Sequence, residues 1–428
     1  MKTPPTPLRR AVYMMALIIA AEAVFTLPFL VARVFRPTVL EVFGISNTQL
    51  GAAFSLYGIV AMISYFPGGP LADRFSARGM MSVALLLTAG GGFYYAAMPP
   101  LGGLQFLFGL WGFTTILLFW AALIRATREW GGDDSQGLAF GILDGGRGLF
   151  AAVLASVTLV VFGAMLPGDA ATATLEQRAA ALRAVIWIFT GMTAASAVLV
   201  WIFIRDSYSG TSKSPSDADK VKFKSIATVL RNPAVWLQGM IVICAYVSFK
   251  ATDDFGLYAK DTFGFDDVQA AKIGTVALWV RPIGAFGAGL LGDRIGVSRA
   301  TTACFLALIA GYGLLALGVL PPTVPVAAYL AIASTGLAIY GLRGVYFALF
   351  DEAKVPAALT GTAAGVVSVI GYTPDVFIGP LMGMCTDSFR GPLGHQLFFA
   401  VVAWFAILGL NATFIFKWYA RRSARAGG

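Results

Sequence analysis

Charged side chains are scarce in this chain. They make up 12% of its 428 residues, about half of the roughly 25% that soluble domains carry. Hydrophobic residues supply 58%, and the mean hydropathy is +0.76. This composition is not that of a soluble globular domain, and it predicts segments that are apolar along most of their length.

The residues on which many enzymes rely are also few. His395 is the one histidine, and the three cysteines, Cys244, Cys304 and Cys385, all fall in apolar runs. The sequence has no His/Cys/Asp group with metal-ligand spacing and no Walker A motif. We therefore expect no disulfide framework, no cofactor and no direct use of ATP. An intramembrane enzyme is the least favoured class of function.

The sequence instead contains many long runs of apolar residues. Twelve stretches of mostly apolar residues recur along the chain, each reaching the 18 or more residues that a membrane-spanning helix needs. Barrel strands, by contrast, are about ten residues long and alternate in polarity. The runs lie at about 11–35, 47–72, 79–98, 102–126, 137–165, 183–204, 234–258, 267–292, 300–320, 325–350, 358–384 and 394–418. The sequence predicts an all-α integral membrane protein.

The distribution of Lys and Arg predicts the orientation of these helices. Most of the 31 basic residues lie in the N-terminal segment, the loops that follow even-numbered helices, one central polar stretch and "KWYARRSAR" near the end. The positive-inside rule then places both termini in the cytosol of a multi-pass protein of the cell membrane, the inner membrane in a bacterium. The net charge of +9 indicates contact with anionic lipid headgroups and not with nucleic acid.

The central polar stretch divides the chain in two. Residues 205–232, "RDSYSGTSKSPSDADKVKFKSIATVLRN", are rich in Ser, Lys, Asp and Gly, a composition typical of a linker. We predict an N-terminal bundle of six helices at 1–204, a cytosolic linker, and a C-terminal bundle of six helices at 233–428.

Each half carries one copy of the same charged loop. "GGPLADRFSAR" contains Asp73–Arg74, and "GLLGDRIGVSR" contains Asp293–Arg294. Parallel six-helix repeats are a known transporter design. Both loops resemble the signature of the major facilitator superfamily, Gly-x-x-x-Asp-Arg-x-Gly-x-Arg, and the twelve helices extend the resemblance over essentially the whole chain. Ser76 stands where the signature has Gly, so the first turn is expected to be less strained. The resemblance implies two pseudo-symmetric six-helix bundles and transport by alternating access.

The resemblance also implies that these loops gate the cytosolic side. Asp73 would face the start of the eleventh helix, and Asp293 the start of the fifth. Small residues let helices approach closely, which we expect at Gly69 and Gly289. The predicted gating residues are Gly69, Asp73, Arg74, Arg78, Gly289, Asp293 and Arg294. For the arginines, a simple role as positive-inside anchors stays open. Further gate candidates, with solvated loop charge as the alternative, are Arg128, Glu129, Asp351 and Glu352.

Several charges lie inside the predicted spans. A charge at the bilayer centre costs about 2.5–3.5 kcal/mol on insertion scales, so such residues are functional hypotheses by default. Five are basic: Arg33, Arg147, Lys250, Arg281 and Arg343. The resemblance arranges several of them around one central cleft. Because a guanidinium matches carboxylate, phosphate or sulfonate oxygens in pairs, we predict a site for a small organic anion.

Two details narrow the resemblance within the family. Arg281–Pro282 resembles the Arg-Pro on helix eight of nitrate and monocarboxylate-type carriers. Basic residues on helices one and seven are similar to those of the organophosphate:phosphate antiporters, although Lys250 stands here where those carriers have Arg.

Some of these charged residues have simpler interpretations, as structural ion pairs or as side chains that reach the membrane surface. Lys250 and Asp254 are spaced i,i+4, and Asp144 and Arg147 are spaced i,i+3, so both could be structural pairs. Arg36 is expected to snorkel to the outer interface. The residues expected to be solvated are Asp253, Lys260 and Asp261.

Three carboxylates could carry a proton: Glu22, Asp144 and Asp375. Glu22 is preferred, because it has no cation nearby in sequence and must otherwise find a partner across helices. Asp144 is expected to stay ionised against Arg147. Tyr57 and Tyr372 complete the predicted substrate site. The "GYTPD" stretch at 371–375 predicts a broken helix, because Pro interrupts helical hydrogen bonding and broken helices line cavities.

The sequence therefore predicts a secondary transporter, expected to be a monomer, for a small anion that moves with protons or in exchange for another anion. A proton-driven drug exporter is one alternative, although helix five lacks the Gly-x-x-x-Gly-Pro stretch of those antiporters. A sugar carrier and a sensor that keeps the carrier fold are further alternatives.

Overall fold

Twelve helices dominate the computed structural model, which describes residues 7–132, 136–204, 229–352, 357–389 and 391–426. Within these residues, twelve helices are long and apolar enough to cross a membrane. They are α1 (Pro7–Val34), α2 (Asn47–Ala72), α3 (Ala77–Ala96), α4 (Leu101–Gly131), α5 (Leu138–Ala164), α6 (Leu175–Phe203), α7 (Pro233–Phe263), α8 (Asp267–Ile295), α9 (Val297–Leu317), α10 (Pro325–Val345), α11 (Gly365–Ser388) and α12 (Pro392–Arg422). The predicted spans and the all-α class are confirmed.

Local sequence signals set where several helices begin. At α2 the Gln49 backbone N–H donates to the Ser46 hydroxyl oxygen (3.2 Å), and the Ser46 N–H donates to the Gln49 side chain (2.9 Å). Thr174 and Gln177 form the same capping box at α6. Each box satisfies two backbone donors that would otherwise lack an intrahelical partner.

Four helices depart from regular α geometry. Residues Thr26–Leu30 of α1 and Phe113–Trp120 of α4 are π-helical, a form that is often found at functional sites. α7 tightens into a 3₁₀ turn at Ala251–Asp254. α11 is interrupted at Tyr372 and Thr373, immediately before a helical segment that begins at Pro374. The break predicted at "GYTPD" is confirmed.

The chain forms two compact units. Unit 1 comprises the described residues of Met1–Tyr208, Asp253–Trp279 and Gly379–Asp387; unit 2 comprises those of Ser209–Thr252, Val280–Ile378 and Ser388–Gly428. In unit 1, α3 packs on α6 and α2 packs on α4; in unit 2, α9 packs on α12 and α10. Because the units follow contacts and not the sequence repeat, division into two six-helix domains at the linker stays a prediction. Residues 205–228 of that linker lie outside the described residues.

Close helix contacts occur near the two predicted glycines but not at them. A Cβ on Gly69 or Gly289 would meet nothing within 4 Å among the described residues. A Cβ on Gly68 would lie 3.4 Å from the Leu117 carbonyl oxygen, and one on Gly284 only 2.7 Å from that of Leu337. Among the described residues, the close approach therefore occurs at Gly68 and Gly284 and not at Gly69 and Gly289.

The two signature turns use different chemistry. Gly296 has a φ of +94°, a conformation that L side chains rarely adopt. Ser76, its counterpart, has a φ of −61°, and its hydroxyl accepts a hydrogen bond from the Gly79 N–H (3.0 Å). The first turn therefore needs no left-handed residue and gains a helix cap instead, as the Ser for Gly difference led us to expect.

The predicted gating residues are mainly at the surface of their own unit. Arg74, Asp293 and Arg294 are exposed, and the Arg78 guanidinium lies 4.7 Å from the centre of the Trp201 ring. The side chains of Asp73 and Asp351 lie outside the described part of the structure. Their gating roles stay predictions.

Arg125 binds the end of α2 that carries the first signature. Its Nη1 donates to the Ala72 carbonyl oxygen (2.7 Å), and its Nε donates to Glu129 Oε1 (2.9 Å). A cation at this end of a helix stabilises the unsatisfied carbonyls and the negative end of the dipole. The sequence pointed to Arg128 instead, three residues along the same helix.

Candidate functional site

A buried ion pair lies in unit 2, between α7 and the break in α11. Lys250 Nζ is 3.4 Å from Asp375 Oδ1, and the side chains are only 3% and 12% exposed. The Tyr246 hydroxyl, one turn earlier on α7, donates to the same carboxylate at 3.0 Å. Asp375 therefore contacts a cation and a hydroxyl, and it is a partner of Lys250 that sequence spacing did not suggest.

A second cation stands beside this pair. The Arg343 guanidinium of α10 lies 4.0 Å from the centre of the Phe249 ring and 5.6 Å from that of Tyr246. Tyr372 packs against Tyr246 with ring centres 4.8 Å apart. Stacking of a guanidinium on an aromatic face is favourable and restricts its orientation. We call Tyr246, Phe249, Lys250, Arg343 and Asp375 the unit 2 cluster; it brings together three of the predicted site residues, with Tyr372 at its side.

The break in α11 is what brings Asp375 to this cluster. Pro374 has no N–H and its ring crowds the preceding turn, which favours the interruption seen at Tyr372 and Thr373. The next segment begins with Pro374 and carries Asp375 in its first turn, where the positive end of the helix dipole favours a carboxylate.

Unit 1 contains a different charge cluster. Arg147 Nε of α5 donates to Glu22 Oε2 of α1 at 3.2 Å, and Arg147 Nη1 lies 3.9 Å from Asp144 Oδ1. The guanidinium also lies 5.6 Å from the Phe25 ring centre and 5.9 Å from that of Trp120. We call Glu22, Asp144 and Arg147 the unit 1 cluster. It gives Glu22 a partner across helices, so the absence of a nearby cation no longer supports Glu22 as the proton carrier.

Two other predicted substrate residues are Tyr57 and Arg281. Tyr57 is 2% exposed, its hydroxyl shares a 2.7 Å hydrogen bond with Thr115, and its ring meets Phe29 edge to face. It packs within unit 1. Arg281 is half-buried on α8, and its substrate role stays a prediction.

Arg33 and Arg36 belong to a buried polar network at one end of unit 1. Arg33 Nε donates to Asp253 Oδ1 at 2.5 Å. Arg36 is fully buried and donates from Nε and Nη2 to the Asn47 side-chain oxygen (2.8 and 2.5 Å). The expectations that Arg36 snorkels and that Asp253 is solvated are therefore wrong. Burial lowers the pKa of Arg36, and the negative charges of Asp253, Asp254 and Asp387 partly offset this by raising it.

The network continues onto the N-terminus of α2. Asp387 accepts hydrogen bonds from the Asn47 N–H (3.1 Å) and the Thr48 N–H (2.7 Å). Arg178 and Lys260 both contact Asp267, at 2.6 and 2.7 Å, so Lys260 is not simply solvated. We call Arg33, Arg36, Asn47, Asp253 and Asp387 the polar network of unit 1.

Sequence reasoning missed Asn47 and Asp387 in this network, and it also missed Asp267, the partner of Arg178 and Lys260. Their signal was indirect: two arginines close to the end of a span require acceptors, and the residues capping nearby helices are the natural source. Within the described part of the chain, no group of three or more His, Cys, Asp or Glu side chains is arranged to hold a metal ion.

Comparison with known proteins decides the family. The family model described as Major Facilitator Superfamily matches residues 11–380. The chain belongs to the Major Facilitator Superfamily. This membership and the twelve helices make it a multi-pass membrane transporter by fold and family.

Two similar proteins come from Escherichia coli strain K12. Inner membrane protein YqcE is 29% identical over 363 residues, covering 83% of this chain and 82% of YqcE. Inner membrane protein YihN is 28% identical over 402 residues, covering 92% of both chains.

Solved structures support the fold. A bacterial homolog of the human lysosomal transporter Spinster, inward-facing and unoccupied, matches with a TM-score of 0.75 at 16% identity, covering 98% of this chain and 99% of that one. The nucleoside transporter NupG matches with a TM-score of 0.70 at 15% identity, covering 96% and 99%.

Proposed function

We propose that this major facilitator protein carries a small organic anion, a carboxylate, sulfonate or phosphate ester, by alternating access. The observation that supports this most strongly is the charge balance of the unit 2 cluster. Lys250 and Arg343 are cations, and Asp375 is the one carboxylate that the cluster contains. Among these five side chains, the cations outnumber the carboxylate by one within membrane-spanning helices.

An excess charge within a membrane-spanning helix carries a free-energy cost that a bound ligand can offset. Insertion scales put a basic residue at the centre of a membrane helix at about 2.5–3.5 kcal/mol. A bound anion offsets this cost and accepts the charge-assisted hydrogen bonds that Lys and Arg donate. A neutral nucleoside or sugar offers no such compensation, and a lipophilic cation adds to the excess. Transport of an anion is therefore preferred over drug export and over sugar transport.

Asp375 gives the cluster a way to couple the anion to a proton. Its carboxylate competes with the substrate for the Lys250 ammonium, which lies 3.4 Å away. Protonation of Asp375 removes that competition and frees Lys250 for the incoming anion. Exchange of one anion for another is the alternative coupling, and it needs no change at Asp375.

Gating is proposed at both ends of the helices. The signature loops at Asp73–Arg74 and Asp293–Arg294 are the proposed cytosolic gate, in the predicted orientation with both termini inside. The polar network of unit 1 is the proposed latch at the opposite end, since its ion pairs and hydrogen bonds must break before the segments that they join can separate.

A ligand screen tests the proposed substrate class. Purified protein is heated with lactate, gluconate, methanesulfonate, glycerol 3-phosphate, glucose, uridine and tetraphenylphosphonium, and its Tm is recorded. A ligand that binds the folded state at 100 times its Kd stabilises it by about 2.7 kcal/mol. We expect one class of anion to raise the Tm of the wild type and not that of Arg343→Gln. Arg183→Gln is the matched control, because Arg183 Nε bonds the Ala96 carbonyl oxygen in unit 1. Stabilisation by uridine, glucose or the cation alone would overturn the proposal.

A further inference from the structure

A recess of about 380 Å³ opens in unit 2, away from the unit 2 cluster. It lies where the end of α8, the start of α9 and the last turns of α12 meet. Arg299, Glu352, Lys417 and Arg421 line it, together with Ile295 and Gly296. The proposed transport function makes no use of Lys417 or Arg421.

The recess carries an excess of positive charge. Arg299, Lys417 and Arg421 are basic, and Glu352 is the one carboxylate among its described lining residues. That carboxylate is already engaged, because Glu352 Oε1 accepts a hydrogen bond of 2.9 Å from the Ser298 N–H at the start of α9. Gly296 lies beside this contact and has a φ of +94°, which L side chains rarely adopt. Among the described lining residues, three cations therefore face a space with one committed carboxylate, and Arg299 Nη1 also donates to the Ile295 carbonyl oxygen (3.1 Å).

An apolar surface adjoins these cations along α12. Phe414, Ile415 and Trp418 are 49%, 53% and 60% exposed, and they precede Arg421 by one to two turns of the helix. Trp418 also stacks under the Arg422 guanidinium at 5.3 Å. Aromatic residues next to basic ones mark the depth at which acyl chains meet headgroups. A soluble anion would use the cations alone, whereas a phospholipid would use both surfaces.

We propose that this recess binds the phosphate of an anionic phospholipid, with its acyl chains lying along Phe414 and Ile415. The lipid phosphate would accept hydrogen bonds from Lys417, Arg421 and Arg299, and Glu352 would remain on the α9 N-terminus. A lipid bound here would hold the last turns of α12 against the second signature turn.

Lipid binding to the full-length protein in detergent tests the proposal by native mass spectrometry. The probes are phosphatidylglycerol, phosphatidylcholine with the same acyl chains, and inorganic phosphate. Each basic residue near a membrane surface contributes about fivefold to the affinity for anionic lipid. The double variant Lys417→Gln/Arg421→Gln is expected to weaken phosphatidylglycerol binding at least about tenfold. The matched double variant Arg294→Gln/Arg422→Gln removes two charges from the same helix ends but none from the recess. Its affinity for phosphatidylglycerol should differ from that of the wild type by less than about twofold.

A second variant moves the affinity in the opposite direction. Glu352→Gln removes the one carboxylate but keeps an acceptor oxygen for the Ser298 N–H, so phosphatidylglycerol should bind about two- to fivefold more tightly. Equal weakening by the two double variants would overturn the proposal in favour of diffuse surface charge. Equal binding of phosphatidylcholine, or equal competition by inorganic phosphate at the same concentration, would also overturn it.

Discussion

The two buried charge clusters of this protein have opposite balances. In unit 1, Arg147 faces two carboxylates, Glu22 and Asp144. In unit 2, Lys250 and Arg343 stand with one carboxylate, Asp375. In unit 1 the carboxylates of the cluster outnumber its cation, and in unit 2 the cations outnumber the carboxylate. We propose that these balances reflect different roles, structural pairing in unit 1 and anion binding in unit 2.

Removing a cation from the unit 2 cluster should have the largest effect. Arg343→Gln and Lys250→Met each abolish the positive excess, and loss of one partner from a buried charge contact costs about 2–5 kcal/mol. We expect uptake of the stabilising anion into proteoliposomes to fall at least about 30-fold. Arg147→Gln is the comparison in unit 1, with uptake expected within about fivefold of wild type. A larger loss in Arg147→Gln than in both unit 2 variants would reverse the assignment of roles.

Neutralising Asp375 should separate binding from coupling. Asp375→Asn keeps a hydrogen-bond acceptor for Tyr246 but cannot take up a proton, so uptake driven by a pH gradient should fall at least about tenfold. Exchange of labelled for unlabelled anion across the membrane should stay within about threefold. If anion uptake by the wild type does not depend on the pH gradient, proton coupling is contradicted and anion exchange is favoured.

Glu22→Gln should affect stability more than transport. Breaking a buried ion pair from one side costs about 3–5 kcal/mol, and less when the new side chain still accepts a hydrogen bond. The expected result is a Tm lower by several degrees with pH-driven uptake within about threefold. Asp144→Asn is the matched control, since its 59% exposed side chain makes a weak pair worth about 0–1 kcal/mol. Loss of pH-driven uptake in Glu22→Gln but not in Asp375→Asn would restore Glu22 as the proton carrier.

Tyr246→Phe should have the smallest effect. It removes one hydrogen bond to Asp375, worth about 0.5–1.5 kcal/mol, so anion uptake should change by about two- to tenfold. Tyr312→Phe is the matched control, because its hydroxyl bonds the Ser248 carbonyl oxygen in the same unit. If both variants change uptake equally, Tyr246 acts through packing and not through Asp375.

Most of the fold could be predicted from the sequence, because each span is recorded locally as a run of apolar residues. The break at Tyr372 and Thr373 was likewise predictable, since Pro374 lacks the N–H that a helix needs. The π-helical segment Phe113–Trp120 carried no comparable signal, because it contains neither proline nor glycine.

Pairing of the buried charges was predictable only where both partners share one regular helix. Asp144 and Arg147 are spaced i,i+3, and the structure brings them within 3.9 Å. Lys250 contacts Asp375, which lies 125 residues later in the chain. Arg36 likewise finds Asn47, and spacing along one helix contains no information about such partners.

The measurement that tests the difference between the clusters most directly is the Kd of the stabilising anion for three purified variants: Lys250→Met, Asp375→Asn and Arg147→Gln. If the positive excess of unit 2 binds the substrate, Lys250→Met should weaken binding at least about 30-fold, Asp375→Asn should bind as tightly as wild type or more tightly, and Arg147→Gln should stay within about threefold. Binding that is retained in Lys250→Met and lost in Arg147→Gln would contradict the assignment of the anion site to unit 2.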